Sequence, residues 1–144
     1  MEEIMIKIKG SQNFNGDEDN DIELTTKGVI ESVENGVAII YEESELTGMQ
    51  GTTTKIVVNR NGVITLYRSG TTNSCMVFEE GKRNISYYDT EAGAFSIAVF
   101  ANYLEADIHE NGGSIEIDYI LEVDGNVVGQ NEISVTFSYP NNKF

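Results

Sequence analysis

Apolar and polar residues alternate with a period of two along most of this chain, and helical periodicity is sustained nowhere. The clearest run extends from Ser114 to Val123, whose apolar face consists of Ile115, Ile117, Tyr119, Leu121 and Val123. This pattern predicts a strand with one face in a core and the other in water. Asp124-Gly125 and a second alternating run, Val127–Tyr139, follow it. They predict a β-hairpin, because both residues of the tight turn must accept positive φ.

Glycine-containing turn signals recur roughly every ten residues and separate a series of strand candidates. The candidates are Ile4–Lys9, Ile22–Val33, Val37–Glu43, Thr52–Val58, Val63–Arg68, Cys75–Glu79, Asn84–Asp89, Ala94–Ile108, Ser114–Val123 and Val127–Tyr139. An open sheet of so many strands would expose two long edges, and closure removes both. The sequence therefore predicts an all-β fold, with residues 1–144 forming a single antiparallel barrel, closed or nearly closed, of about eight to ten strands.

Two of the longer strand candidates contain irregularities. In Ala94–Ile108 the apolar positions change parity after Ala101, and a one-residue slip would turn the rest of the strand to the opposite face. A β-bulge near Asn102-Tyr103 would return both sets to one core. Ile22–Val33 needs a similar break, which we predict at Gly28.

Charge and composition limit the classes of partner. The chain of 144 residues carries 24 acidic and 9 basic residues, giving a formal net charge of −15. Such a surface repels phosphate backbones and anionic bilayers, so we expect neither a nucleic-acid nor a membrane partner. The charge favours solubility, with recognition of a basic partner or a cation as the alternative. Cys75 is the only cysteine, and there is neither a signal-peptide pattern nor a membrane-length apolar run, so we expect a cytoplasmic protein.

No motif predicts a catalytic site, a metal site or a cofactor. Asp17, Asp19 and Asp21 match the first ligand positions of a calcium loop, but Ile22 and Gly28 stand where that loop needs glycine and glutamate. His109 is the only histidine, which excludes a multi-histidine metal site. Cys75 has no histidine nearby in sequence, and we expect a structural thiol.

Arg68 is the strongest candidate for a functional residue. It shares parity with Ile64 and Leu66, so strict alternation places its guanidinium on the apolar face, inside the barrel. Arginine is seldom buried without a partner. Glu42, whose parity matches that of Ile40, could pair with it; otherwise an anionic ligand could complete the site, or Arg68 lies hydrated at the end of its strand.

Tyr41, Tyr119 and Tyr139 also lie on inferred core faces. Their rings could line a cavity that their hydroxyls make partly polar, or they could fill the core with each hydroxyl at its rim. Both alternatives stay open at the level of sequence.

Several segments together resemble the YwiB-like family of small bacterial proteins. The matching residues are Ile40-Tyr41-Glu42-Glu43 with Leu46 and Gly48, Arg68-Ser69-Gly70, Phe78 with Gly81, Tyr88 with Thr90 and Gly93, and Gly113 through Asp118-Tyr119. The resemblance extends over residues 1–139 and implies a calycin (lipocalin-like) β-barrel with no assigned activity. Tyr88, in one of these segments, completes the set of candidate lumen residues.

We therefore expect a non-enzymatic cytoplasmic barrel that binds a small molecule, an anionic amphiphile among the candidates, in its lumen. The alternative is a protein-interaction or homodimerisation module that uses a β face or edge. Ile30, Phe100 and Ile120 are candidates for its apolar patch, because they are apolar on the less apolar parity of their strands. An enzyme is the least favoured class.

Overall fold

The structure is a computed structural model that describes residues 2–13, 20–44, 50–71, 73–90 and 93–140. Within these residues the chain forms ten β-strands. They are β1 (Glu2–Asn13), β2 (Asn20–Val33), β3 (Gly36–Glu42), β4 (Thr52–Asn59), β5 (Ile64–Gly70), β6 (Asn73–Phe78), β7 (Arg83–Thr90), β8 (Gly93–His109), β9 (Gly112–Val123) and β10 (Asn126–Ser138). Among the described residues no helix is long and apolar enough to span a membrane.

The ten strands form one closed antiparallel barrel. Each strand pairs with its neighbour in sequence, and β1 pairs with β10 from Met5↔Ser138 to Asn13↔Gln130, which closes the sheet. The predicted all-β class and closed barrel are confirmed. Closure is expected on physical grounds, because it leaves no strand edge free for unwanted pairing.

Alternate positions of the strands fill the interior with apolar side chains. The largest that are almost completely buried are Ile4, Ile6, Ile39, Ile64, Phe78, Ile115, Ile117 and Val135. Burying one isoleucine or phenylalanine side chain contributes about 1.5–3 kcal/mol to folding. The period-two pattern thus accounts for both the strands and the core.

The hairpin turn and the bulge both lie where the sequence predicts them. Asp124 and Gly125 have φ angles of 50° and 86°, the positive values that the turn between β9 and β10 requires. The register of β8 against β9 shifts between Ala101 and Tyr103. The bulge lets Ile97 and Leu104, which differ in parity, both pack on the same core.

The predicted break at Gly28 is wrong. The register of β1 against β2 runs without a shift from Gln12↔Asn20 to Glu2↔Ile30. No break is needed, because Leu24, Gly28 and Ile30 share one parity and that parity faces the core. Ile30 is consequently buried rather than part of an exposed apolar patch. Phe100 and Ile120, proposed for the same patch, are half-buried.

Strands β6 and β7 are joined by very little pairing. Within residues 73–90, all described, the ladder between them consists of Asn73↔Asp89 and Ser74↔Tyr88. By contrast, β5 and β6 pair continuously from Ile64↔Phe78 to Arg68↔Ser74. The seam between β6 and β7 is therefore the weakest line in the described barrel wall.

Candidate functional site

Polar side chains meet inside one end of the barrel. The carboxyl end of β3, the amino end of β4 and the carboxyl end of β5 lie side by side there, because neighbouring strands are antiparallel. Tyr41 and Thr54 are opposite one another in the β3–β4 ladder, and Thr54 is opposite Arg68 in the β4–β5 ladder. Glu43, immediately after β3, donates its backbone N–H to the carbonyl of Thr52 at 2.8 Å, which fixes its position.

Arg68 and Glu43 form a buried but incomplete ion pair. Arg68 Nε lies 3.7 Å from Glu43 Oε2, and the two side chains are 14 % and 1 % exposed. At that distance the guanidinium does not donate a hydrogen bond to the carboxylate. Thr54 instead donates one to Glu43 Oε2, at 2.5 Å. Within the described residues, Glu43 Oε1 and Arg68 Nε have no hydrogen-bond partner.

Tyr41 is bound into the same group of side chains. Its ring is almost completely buried, and burial is the main cause that raises the pKa of its hydroxyl above the ordinary value. The negative charge of Glu43 and a hydrogen bond with it raise this pKa further. Arg68 and a hydrogen bond with Thr54 act in the opposite direction. The phenol therefore stays neutral and serves as a hydrogen-bonding group.

Tyr119 approaches Arg68 from the opposite wall. Burial is again the main cause that raises the pKa of its hydroxyl, while a hydrogen bond from Asn131 and the charge of Arg68 lower it. The neighbouring hydroxyl of Tyr88 raises it. The guanidinium of Arg68, which lies beside the buried Glu43, thus acts electrostatically on tyrosines of both β3 and β9.

Ser74 lies between Arg68 and Tyr88 in the sheet. It is opposite Arg68 in the β5–β6 ladder and opposite Tyr88 in the β6–β7 ladder, so the three side chains share a face. We call this whole group of side chains the lumen cluster; its members are Tyr41, Glu43, Thr54, Arg68, Ser74, Tyr88, Tyr119 and Asn131.

Four buried polar atoms of the lumen cluster lack a hydrogen-bond partner in the described part of the chain. They are Glu43 Oε1, Arg68 Nε, Ser74 Oγ and Asn131 Oδ1. Leaving such a group unsatisfied costs about 1–3 kcal/mol, and more when it is charged. The cluster therefore requires water or a ligand. That molecule must donate hydrogen bonds to the carboxylate oxygen of Glu43 and the amide oxygen of Asn131, and must accept one from the guanidinium of Arg68.

The structure places four of the six sequence-predicted residues in the cluster: Arg68, Tyr41, Tyr88 and Tyr119. Glu42 was wrongly placed on the inner face. It is exposed, and Glu43 occupies the position next to Arg68. The cause is that Val37-Ala38-Ile39-Ile40 is continuously apolar, so the sequence does not show which positions of β3 face inward. In the structure Ile39 and Tyr41 are buried, and the odd positions therefore face the interior.

Tyr139 does not join the cluster. It follows the carboxyl end of β10, at the opposite end of the barrel, and its ring packs edge-on against Phe137 with centroids 6.4 Å apart. It is half-buried against the core there.

Besides Glu43, sequence reasoning missed three further polar members of the cluster. Asn131 shares parity with Val135 and Phe137, and Thr54 shares parity with Ile56. The signal that selected Arg68, a polar residue on an apolar parity, was therefore present for both. Ser74 carries no such signal, because Cys75-Met76-Val77-Phe78 is apolar on both parities and does not show which one faces inward.

The remaining candidate chemistry lies away from the cluster. His109 ends β8, is exposed, and accepts a hydrogen bond at Nδ1 from the backbone N–H of Asn111 at 3.3 Å. Cys75 is half-buried, and burial raises the pKa of its thiol. The described residues contain no group of three or more His, Cys, Asp or Glu side chains that could hold a metal ion. Residues 17–19 of the acidic loop lie outside the described residues, so its lack of calcium binding stays a prediction.

Comparison with known proteins supports the barrel and gives the family. The model of a family described as Domain of unknown function (DUF1934) matches residues 6–135. The chain belongs to this family. The crystal structure of the ywiB protein from Bacillus subtilis is similar to this DUF1934 protein, with a TM-score of 0.85, 21 % identity, and coverage of 97 % of this chain and 93 % of that chain.

The resemblance to YwiB-like proteins is confirmed, and at this identity it shows the fold alone. No curated protein matches the chain. The description of the DUF1934 family names no activity, although a closed barrel is consistent with ligand binding. The chemistry of the lumen cluster is therefore the basis for a functional proposal.

Proposed function

We propose that this protein binds a small molecule inside the barrel without converting it. The polar group of the ligand lies against Arg68 and Glu43, and its apolar part contacts the rings of Tyr41, Tyr88 and Tyr119. The supporting observation is that four buried polar atoms, at one end of a largely apolar interior, have no hydrogen-bond partner among the described residues. A core with a purely structural role would be expected to satisfy such groups internally.

The charges of the cluster define the chemistry of the ligand. Glu43 lies close enough to offset the charge of Arg68, so an anion gains less here than beside a lone guanidinium. The ionised carboxylate of Glu43 and the amide oxygen of Asn131 can only accept hydrogen bonds. The favoured ligand is therefore a molecule with adjacent donor and acceptor groups, such as an amide or a zwitterion, on an aromatic or aliphatic body.

Thermal unfolding with matched probes tests the proposal. Benzamide carries a donor and an acceptor, benzoate carries acceptors alone, and laurate represents an anionic amphiphile. A ligand at twenty times its dissociation constant stabilises the folded state by about 1.8 kcal/mol. For a domain of this size that raises Tm by roughly 4–8 °C. We expect the largest rise with benzamide.

Two arginine variants provide the control. Arg68→Met should abolish the rise in Tm, whereas Arg83→Met should preserve it. Arg83 is an exposed arginine that pairs with Glu122 on the outer surface, with Nε and Oε2 2.8 Å apart. No rise with any of the three probes, together with a large loss of stability in unliganded Arg68→Met, would contradict the proposal and leave Arg68 as a structural ion-pair partner.

A protein-interaction surface is the second candidate, and one observation favours it. Ile85 and Tyr87 project from the outer face of β7 with 64 % and 74 % of their surfaces exposed, and Tyr67 of β5 is also exposed. Aromatic residues are enriched in interfaces. Sedimentation equilibrium should then detect self-association that Ile85→Glu weakens, and a strictly monomeric parent would remove homodimerisation from consideration.

A further inference from the structure

The weak seam between β6 and β7 begins directly beside the lumen cluster. Ser74 and Tyr88, both in the cluster, form the last pair of the β6–β7 ladder. Continuing the register would set residues 75–78 opposite residues 84–87, but no ladder joins these two stretches. Both stretches keep their partners on the other side, in β5 and β8.

The path of the chain after β6 explains why the two strands separate. Residues beyond Phe78 turn toward β8 rather than alongside β7: Glu80 forms a bridge with Ala101, and the backbone N–H of Gly81 donates to the carbonyl of Ala101 at 2.8 Å. Arg83 then begins β7 opposite Phe100, the neighbour of Ala101. The end of β6 is consequently held by β8, and the start of β7 cannot pair with it.

Within the described part of the chain, one side-chain hydrogen bond spans the gap. Asn84 of β7 donates from Nδ2 to the carbonyl of Val77 in β6, at 3.1 Å. This bond satisfies one backbone acceptor that the missing ladder would otherwise have satisfied. One side-chain hydrogen bond contributes about 0.5–1.5 kcal/mol net, far less than a continuous ladder of backbone bonds together with its side-chain contacts.

An additional β-strand does not fit between β6 and β7. Pairs of Cα atoms from the two strands lie within 8 Å of each other. Adjacent strands lie about 4.8 Å apart, so an inserted strand would need the two to be almost 10 Å apart. We therefore expect the two strands to separate at this seam rather than to bind an extended peptide between them.

On its β6 side the seam presents apolar side chains to the interior, next to the cluster. Met76 and Phe78 point inward and are buried, and the ring of Phe78 lies 4.9 Å from that of Tyr119. Glu43 and Arg68 are themselves almost closed to solvent. A ligand that contacts Glu43 needs some part of the barrel to open, and β6 and β7 are joined by the fewest ladder pairs of any neighbouring strands in the described wall.

We propose that the β6–β7 seam is a lateral gate, held shut by Asn84, through which ligands reach the lumen cluster. This inference rests on the proposed function of the cluster. The gate opens by a small separation of residues 75–78 from residues 84–87 and exposes Met76 and Phe78. The pairs Asn73↔Asp89 and Ser74↔Tyr88 lie at one end of the gate.

A reversible cross-link tests the gate. Tyr87→Cys places a second thiol across the seam from the native Cys75, the position that follows from the pair Ser74↔Tyr88. Tyr67→Cys is the matched control, because Tyr67 is opposite Cys75 in the intact β5–β6 ladder. Both substitutions replace an exposed tyrosine and can form a disulfide with the same cysteine, but only the first would close the gate.

Hydrogen exchange provides a readout that needs no ligand. Amides of residues 75–78 and 84–87 that face the seam should exchange at least ten times faster than those of the β4–β5 ladder. Oxidised Tyr87→Cys should slow them and oxidised Tyr67→Cys should not. Asn84→Ala should accelerate them further, which tests the gate even if the cross-link forms poorly. Equal protection of the seam and the β4–β5 ladder would overturn the gate.

Stopped-flow binding of the fluorescent probe anilinonaphthalenesulfonate gives the functional readout. Oxidised Tyr87→Cys should bind and release the probe at least ten times more slowly than the reduced form, with unchanged affinity, while oxidised Tyr67→Cys should match its reduced form. Equal rates in oxidised and reduced Tyr87→Cys would overturn the gate. Failure of the probe to bind any form, together with no rise in Tm with benzamide, would contradict the proposed function instead, and hydrogen exchange would still decide the gate.

Discussion

Gly28 shows how one missing side chain sets the distance between strands. A Cβ atom at this position would lie 2.4 Å from Ile6 Cδ1 and 2.5 Å from the carbonyl oxygen of Ile40. The second atom belongs to the backbone, so it cannot move aside by a change of rotamer. Gly28 therefore allows β1, β2 and β3 to pack closely beneath Tyr41, whose Cβ lies 3.2 Å from the same point.

Gly28→Ala should lower the free energy of unfolding by about 1–3 kcal/mol, the usual cost of overpacking a core. Gly10→Ala is the matched control in the neighbouring strand, because nothing lies within 4 Å of its added Cβ. We expect Gly10→Ala to change stability by less than about 0.5 kcal/mol. Urea unfolding followed by circular dichroism measures both, and equal stability of the two variants would contradict the close approach.

Tyr41 and Tyr119 predict a distinctive alkaline titration. The pKa of each hydroxyl is raised above its ordinary value, mainly by burial. A group whose pKa is raised on folding contributes stability that is full below its unfolded pKa, about 10 for tyrosine, and is lost as pH rises above it. We therefore expect stability to fall above about pH 10, with two phenols ionising only on unfolding.

Ultraviolet absorbance at alkaline pH measures this titration directly. Tyr41→Phe and Tyr119→Phe should each remove one late-ionising phenol from the curve. Complete ionisation of all tyrosines in a protein that keeps its strand signal in circular dichroism would show that these hydroxyls are accessible, contrary to their burial.

The sequence could predict whether a side chain faces inward or outward wherever apolar residues occupy only one parity of a strand. Arg68 was placed correctly because Ile64 and Leu66 define the inner parity of β5, and the same rule would have found Asn131 in β10. Glu42 and Glu43 could not be distinguished, because β3 is apolar on both parities. The sequence also cannot show that Thr54 reaches Glu43, since that contact joins two strands.

At the level of the elements, Asp124 fastens the β9–β10 hairpin to β8. Its backbone N–H donates to the carbonyl of Ser96 at 2.8 Å, and its Oδ1 accepts from the backbone N–H of Ser96 at 3.1 Å. It also adopts the positive φ that the turn requires. Aspartate and asparagine tolerate this conformation better than most other residues.

Asp124→Ala should lower stability by about 1–2 kcal/mol, because the N–H of Ser96 loses its acceptor and alanine disfavours positive φ. Asp124→Asn should stay close to the parent, because its amide oxygen can accept the same bond and asparagine accepts the same φ. Thermal unfolding compares the three proteins. If Asn and Ala were equally destabilising, the negative charge rather than the geometry would be the important property of this residue.

The sequence predicts the existence and order of all ten strands, together with the bulge in β8, because each depends on a local pattern. The unpaired part of the β6–β7 seam is different. It arises where Glu80 and Gly81 contact Ala101, about twenty residues further along the chain, and nothing in the pattern of β6 or β7 indicates it. Contacts between distant segments therefore decide how well neighbouring strands pair.

At the scale of the whole molecule, the negative net charge is reflected in like charges that face one another on the outer wall of β8, β9 and β10. Glu105 is directly opposite Glu116 in the β8–β9 ladder, and Asp118 is directly opposite Glu132 in the β9–β10 ladder. The hydroxyl of Tyr103 donates a hydrogen bond to Glu105, which raises the pKa of that tyrosine to about 12. Directly opposed like charges destabilise a sheet, and exposed ion pairs elsewhere contribute little. With a net charge of −15, repulsion should dominate the surface electrostatics.

The melting temperature should therefore rise with salt. Between about 0.01 and 1 M NaCl the Debye length falls from about 30 to 3 Å, which screens repulsion between exposed carboxylates. Glu116→Gln removes one charge of an opposed pair, so its Tm should exceed that of the parent at low salt, and the difference should disappear at high salt. Scanning calorimetry of both proteins at several salt concentrations measures the effect. A parent whose Tm falls as salt is added would show that attractive ion pairs, such as Lys7–Glu23 at 3.2 Å, outweigh the repulsion.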